Sequence, residues 1–253
     1  MVKGLDTFKR YFADYTDCYI LIGGSACDVN FSAAALPFRV THDLDMVLCV
    51  EALTPSFFKR FWSFVHEGGY VHREKSNGER QLYRFTHPTQ SDYPDMLELF
   101  ARRADVLLGA TAGHLTPILA GEEASSLSGI LLNDVYYDFV MANRTEIDGV
   151  SVIAPVGLMA LKAIAWLDLT KKKEAGESHA YSKDIGKHKN DIARLTVLTA
   201  GVEPIIPDGI RAVMSEFMSR YNLEALDTAA LRLPFGDAEV KAEIRRLFGI
   251  PMS

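Results

Sequence analysis

Residues 42–50, HDLDMVLCV, alternate apolar with acidic side chains and then run on as unbroken apolar sequence, which is the pattern of a strand buried at one end. Side chains alternate along a strand, so Asp43 and Asp45 share one face while Leu44 and Met46 turn to the core. Two carboxylates that close repel each other unless a cation lies between them. A hard divalent ion such as Mg2+ takes oxygen ligands and commonly uses one or two carboxylates together with substrate phosphates. This strand therefore predicts half of a metal site.

The other half is expected from a neighbouring strand, and YPDMLELFA supplies a candidate. Glu98 lies between Leu97 and Leu99, where a lone charge is expensive without a partner or a metal. Asp95 falls on the opposite face by parity, so Glu98 is the expected third carboxylate. Upstream, an apolar strand at 18–22 runs into a small-residue turn, Gly23-Gly24, and then a helix over 25–35. Such a turn permits close backbone approach, and the helix behind it offers free N–H groups to a phosphate. Its spacing is neither GxGxxG nor GxxxxGK(S/T), so the two common glycine-rich nucleotide loops are excluded.

Composition narrows the class. With 253 residues, 48% of them apolar, the chain can bury a sizeable core as one large or two small domains. No window is apolar for long enough to span a membrane, and MVKGLDTFKR lacks the apolar stretch of a signal peptide, so the cytoplasm is expected. Cys18, Cys27 and Cys49 have no CxxC spacing and read as small core residues, not as a disulfide framework or a zinc site. A net charge of -6 argues against a protein that coats nucleic acid, though a local basic patch survives such an average.

Along the chain, TPSFFKRFWSFVHEGG reads as a core helix with Thr54 as N-cap, Pro55 in the first turn and Gly68-Gly69 as the stop. Strands are expected at YVHRE, QLYRFTHP and DMLELFA, and a hairpin around Asp148-Gly149. Beyond Pro155 the character changes to four helical segments. A mixed α/β half over 1–154, a small mixed sheet with flanking helices, is thus expected before a helical half over 155–253. The run TKKKEAGESHAYSKD between the first two of these helices reads as a solvated linker.

In this order, GGSA, RVTHDLD, MLELF, an LKAIA helix and a KHKNDIARL helix resemble the nucleotidyltransferase superfamily, and especially its AbiEii/AbiGii toxin-like family. The resemblance spans about residues 18–195. It implies an α/β nucleotidyltransferase domain followed by a helical domain, and Mg2+-dependent transfer of a nucleoside monophosphate from an NTP. Carried over, Gly23, Gly24 and Ser25 would cradle the triphosphate with Arg39 and Thr41 nearby, and Asp43, Asp45 and Glu98 would hold metal. Lys162 would contact phosphate, and Lys189 and Asp191 would occupy the last motif. The third carboxylate is Glu where Asp is commoner, and Leu169 stands where the KxxAxxxR motif has its Arg. The implied acceptor is an RNA 3′ end such as that of a transfer RNA, or a protein hydroxyl, and the implied partner is a cognate antitoxin. From another class, the same fold acting as a binding or regulatory module without turnover is the alternative.

Overall fold

The computed structural model describes residues 2–74, 80–102, 134–176 and 182–251. They divide into two compact units, Met1–Ile153 and Ala154–Ser253. The first is a mixed α/β unit and the second is helical. Among the described residues, no helix is long and apolar enough to cross a membrane.

Among the described residues, unit 1 is built on one mixed sheet of seven strands: β1 (Tyr19–Ile22), β2 (Asp43–Leu48), β3 (Val71–Glu74), β4 (Arg80–Thr86), β5 (Met96–Ala101), β6 (Arg144–Ile147) and β7 (Val150–Ile153). Their order across the sheet is β3-β4-β5-β2-β1-β7-β6. β2 runs parallel to β5 and antiparallel to β1, which in turn runs parallel to β7. β1 and β7 are buried on both faces, all four residues of each, because helices cover both sides of the sheet there.

On one face lie α1 (Leu5–Phe12) and α3 (Pro55–Gly68), joined to the sheet through aromatic rings. Phe8 meets Tyr19 at 5.1 Å and Phe61 meets Phe85 at 5.5 Å between ring centroids, and Phe8 and Phe64 bring the two helices together at 5.9 Å. Edge-on packing of this kind suits the ring quadrupoles. The ends of α3 follow its residues: Phe57 N–H donates to the Thr54 hydroxyl at 3.2 Å, Pro55 opens the first turn, and Gly69 closes the helix in the left-handed region. The helix α1 has no counterpart in the sequence expectations, although Leu5, Phe8 and Phe12 recur at helical spacing. Neither has α4 (Asp134–Ala142).

The opposite face carries α2 (Gly23–Ala33). Contrary to the expected turn, Gly23 and Gly24 are themselves the first residues of this helix, which starts directly from β1 with Ile22 as its cap. Asn30 anchors α2 by donating from its side-chain amide to the carbonyls of Ala26 and Ile153. The β6–β7 hairpin turns on Asp148 and Gly149, both at positive φ, as a two-residue turn of type I′ requires. Cys18, Cys27 and Cys49 are buried as free thiols.

Unit 2 contains α5 (Pro155–Glu174), α6 (Ser182–Leu195), α7 (Asp208–Tyr221) and α8 (Asp237–Phe248). Every residue of α5 from Val156 to Leu167 is buried, so this helix is the core of the unit, with Trp166 edge-on to Phe217 of α7 at 5.2 Å. The expected linker is corrected here. Residues 170–174 are helical, because Lys172 pairs with Asp168 one turn back at 3.0 Å and Lys171 and Glu174 pair with Glu216 and Arg220. Three lysines in the last turn also complement the helix dipole. The part of that run at 177–181 lies outside the described residues.

Candidate active site

Sheet register sets the site. Ile22 pairs with Asp45, Asp45 with Glu98, and Glu98 with Arg84, so these four form one row across β1, β2, β5 and β4. Paired residues on adjacent strands face the same way, which puts Asp45, Glu98 and Arg84 on the face that carries α2. Asp43 is two residues from Asp45 on β2 and shares that face, whereas Leu44 and Met46 are buried on the aromatic side.

The start of α2 stands over this row. Gly23 has φ +65°, and a Cβ there would fall 2.1 Å from Asp45 Oδ2. The positive end of the helix and the Asp45 carboxylate are thus in direct proximity, and only glycine leaves room for both. At Gly24 a Cβ would come 2.8 Å from Thr41 Oγ1 and 3.7 Å from Arg39 Nη2. The structure therefore gathers Gly23, Gly24, Arg39 and Thr41 at the open end of the strand that bears Asp43 and Asp45. Thr41 is buried; Arg39 is half-buried, with its guanidinium 5.3 Å from the centre of the Phe38 ring.

Ser25 is placed differently from a phosphate ligand of the side-chain kind. It is fully buried and its hydroxyl donates to the Ile22 carbonyl at 3.0 Å. Asp95 lies off the row. Its carboxylate takes the ammonium of Lys3 and lies 3.4 Å from His42 Nδ1.

Glu98 has a partner that sequence reasoning missed. Arg84 Nη2 donates to Glu98 Oε1 at 2.6 Å, and the Glu98 side chain retains only 13% of its exposure. The Arg84 Nε is buried without a hydrogen-bond partner among the described residues. In QLYRFT this arginine is a lone cation flanked by aromatic residues, the mirror of Glu98 in MLELF, and that symmetry was the available signal.

The remaining expected residues belong to unit 2. Lys162 on α5 is buried, with its ammonium 2.8 Å from Asp191 Oδ2 on α6. Asp191 is completely buried and also lies 3.6 Å from Arg194. Lys189 pairs with the Glu224 carboxylate.

A divalent cation fits part of this donor set. Asp43 and Asp45 supply hard oxygens on one face, and the position that a Cβ at Gly23 would take lies beside Asp45. Glu98 shares their face, with its Oε1 taken by Arg84. Among the described residues, no three histidine, cysteine, aspartate or glutamate side chains are grouped to hold a metal ion.

No protein-family model matches the chain, and no curated protein does. Among solved structures, it is similar to an antigenic nucleotidyltransferase-like protein from Paracoccidioides brasiliensis, with 17% identity and a TM-score of 0.47 over 94% of this chain and 96% of that one. It is also similar to the antibiotic-resistance factor ANT(2'')-Ia, with 14% identity and a TM-score of 0.36 over 87% of this chain and 92% of the other.

Proposed function

We propose that this chain is a Mg2+-dependent nucleotidyltransferase that moves a nucleoside monophosphate from an NTP to an acceptor hydroxyl, breaking the bond between the α-phosphorus and the bridging oxygen and releasing pyrophosphate. The observation that carries the reading is the meeting of a helix N-terminus with an aspartate pair, where a Cβ on Gly23 would fall 2.1 Å from Asp45 Oδ2. A triphosphate escorted by its cation suits such a place, since the helix end attracts the anion and the carboxylates attract the metal.

Asp43 and Asp45 are the residues that would hold Mg2+, which when bound neutralises phosphate charge and makes the attacking hydroxyl more acidic. Gly23 and Gly24 let phosphate oxygens approach the main-chain N–H groups at the start of α2. Arg39 and Thr41, beside Gly24, donate to the same oxygens. One oxygen of the aspartate pair accepts the proton of the acceptor hydroxyl. Little else is asked of the protein, because phosphoryl transfer is accelerated mainly by positioning and charge. Lys162, Lys189 and Asp191 we assign to the framework of unit 2, since each has an ion-pair partner there.

The toxin-like resemblance adds an RNA 3′ end as acceptor and a cognate antitoxin as partner, and both belong to this proposal. Incubation of the protein with each of four labelled NTPs, Mg2+, transfer RNA and lysate protein tests it. Label is expected in RNA, and Asp43→Asn and Asp45→Asn are each expected to lower it about 100-fold or more. Equal labelling by wild type and both variants overturns the enzyme reading; label confined to protein replaces the acceptor.

A further inference from the structure

We infer that Arg84 is a built-in cation of this site, standing where a second metal ion would otherwise be required, so that the chain binds one divalent ion and not two. The inference rests on the nucleotidyl-transfer reading and deepens it. Asp45, Glu98 and Arg84 lie in one row of the sheet, on three adjacent strands and one face. In that row Glu98 has a choice of cation, a metal on the Asp45 side or the guanidinium on the other. The 2.6 Å bond from Arg84 Nη2 to Glu98 Oε1 favours the guanidinium, whose charge opposes a cation next to it.

Register makes the pairing durable. Arg84 and Glu98 are directly opposite each other on β4 and β5, so the arginine reaches the carboxylate across one strand spacing. A charge-assisted bond of this kind between half-buried groups is stronger than a neutral one, and a metal recruiting the other oxygen of Glu98 would have to sit beside the guanidinium charge. Metal binding is left to Asp43 and Asp45. The guanidinium is itself fixed, with its Nε–H buried.

Mn2+ titration followed by electron paramagnetic resonance, in the presence of an α,β-methylene NTP analogue, tests this without turnover. Wild type is expected to bind one Mn2+ per chain. Glu98→Gln should keep that stoichiometry with its affinity nearly unchanged, whereas Asp45→Asn should weaken binding by about tenfold or more. Arg84→Gln frees Glu98 and is expected to tighten Mn2+ or to admit a second ion, with spin coupling between the two; Arg84→Lys should restore one. Thermal melts of each variant identify any that fails to fold, and Glu98→Gln decides the matter if Arg84→Gln is such a case. Two ions in wild type, or a Glu98→Gln defect as large as that of Asp45→Asn, overturns the inference and leaves the nucleotidyl-transfer reading standing. No Mn2+ binding to wild type at all overturns both.

Discussion

Gly23 concentrates the demands that the site makes on a single residue. At φ +65° any L side chain is strained by about 1 to 2 kcal/mol, and here the added Cβ would also collide with Asp45 Oδ2. Gly149, at φ +73°, has nothing within 4 Å of such a Cβ. The two glycines therefore separate backbone strain from site geometry. Gly23→Ala and Gly149→Ala should both lower the melting temperature, but only Gly23→Ala should abolish nucleotide transfer, because the carboxylate must move away from the helix end. Equal activity in the two variants would show that the contact between α2 and Asp45 is not needed. The special φ of Gly23 was not legible beforehand, since a glycine pair after an apolar strand reads equally well as a loop.

Between elements, the pair joining α5 to α6 shows how burial changes the meaning of a charge. Lys162 sits in a helix whose neighbours are all apolar and buried, and its partner Asp191 has no exposure. Breaking such a pair from one side leaves an uncompensated buried charge, at about 3 to 5 kcal/mol, whereas replacing both partners by apolar residues is often neutral. Lys162→Met alone and Asp191→Leu alone should each sharply lower the urea midpoint, and the double variant should recover most of the loss. A double variant as unstable as the sum of the single ones would mean that the two residues act independently. The helical spacing of LKAIA and KHKNDIARL was readable in the chain; the bond between the helices was not. A lysine in an apolar stripe is compatible both with a surface-reaching stem and with a buried ion pair, and only the packing of α6 on α5 distinguishes them.

For the molecule as a whole, burial sets several thiols and phenols against ionisation. Burial, with help from Asp17, pushes the Cys18 thiol up to about 12, and burial pushes Cys49 to about 12. It raises the hydroxyls of Tyr19, Tyr70 and Tyr221 as well. These groups are neutral in both states below the ordinary thiol pKa of about 8.5. Above it the unfolded chain loses protons that the folded chain keeps, so stability is complete at neutral pH and falls as the pH rises toward about 12. Denaturation midpoints should hold level up to about pH 8 and decline steadily by about pH 10.5, where tyrosine joins cysteine. A level midpoint across that range would contradict the burial of these groups.

What the sequence by itself determined are properties of period and punctuation. Asp43 and Asp45 share a face because a strand alternates, Thr54 and Gly69 bound a helix because of what each does for exposed backbone groups, and Asp148-Gly149 turns a hairpin because two successive residues must accept positive φ. Each is settled within a few residues. Only the tertiary structure decided that β5 lies beside β2 in a register that sets Glu98 against Asp45, that Arg84 reaches Glu98 from the far side, and that the start of α2 closes on Asp45. Those neighbours are distant in the chain, and a one-residue slip in any strand would turn every side chain of that strand to the other face. Their meeting depends on which strand pairings bury the most apolar surface at once, a property of the assembled sheet and of no segment in it.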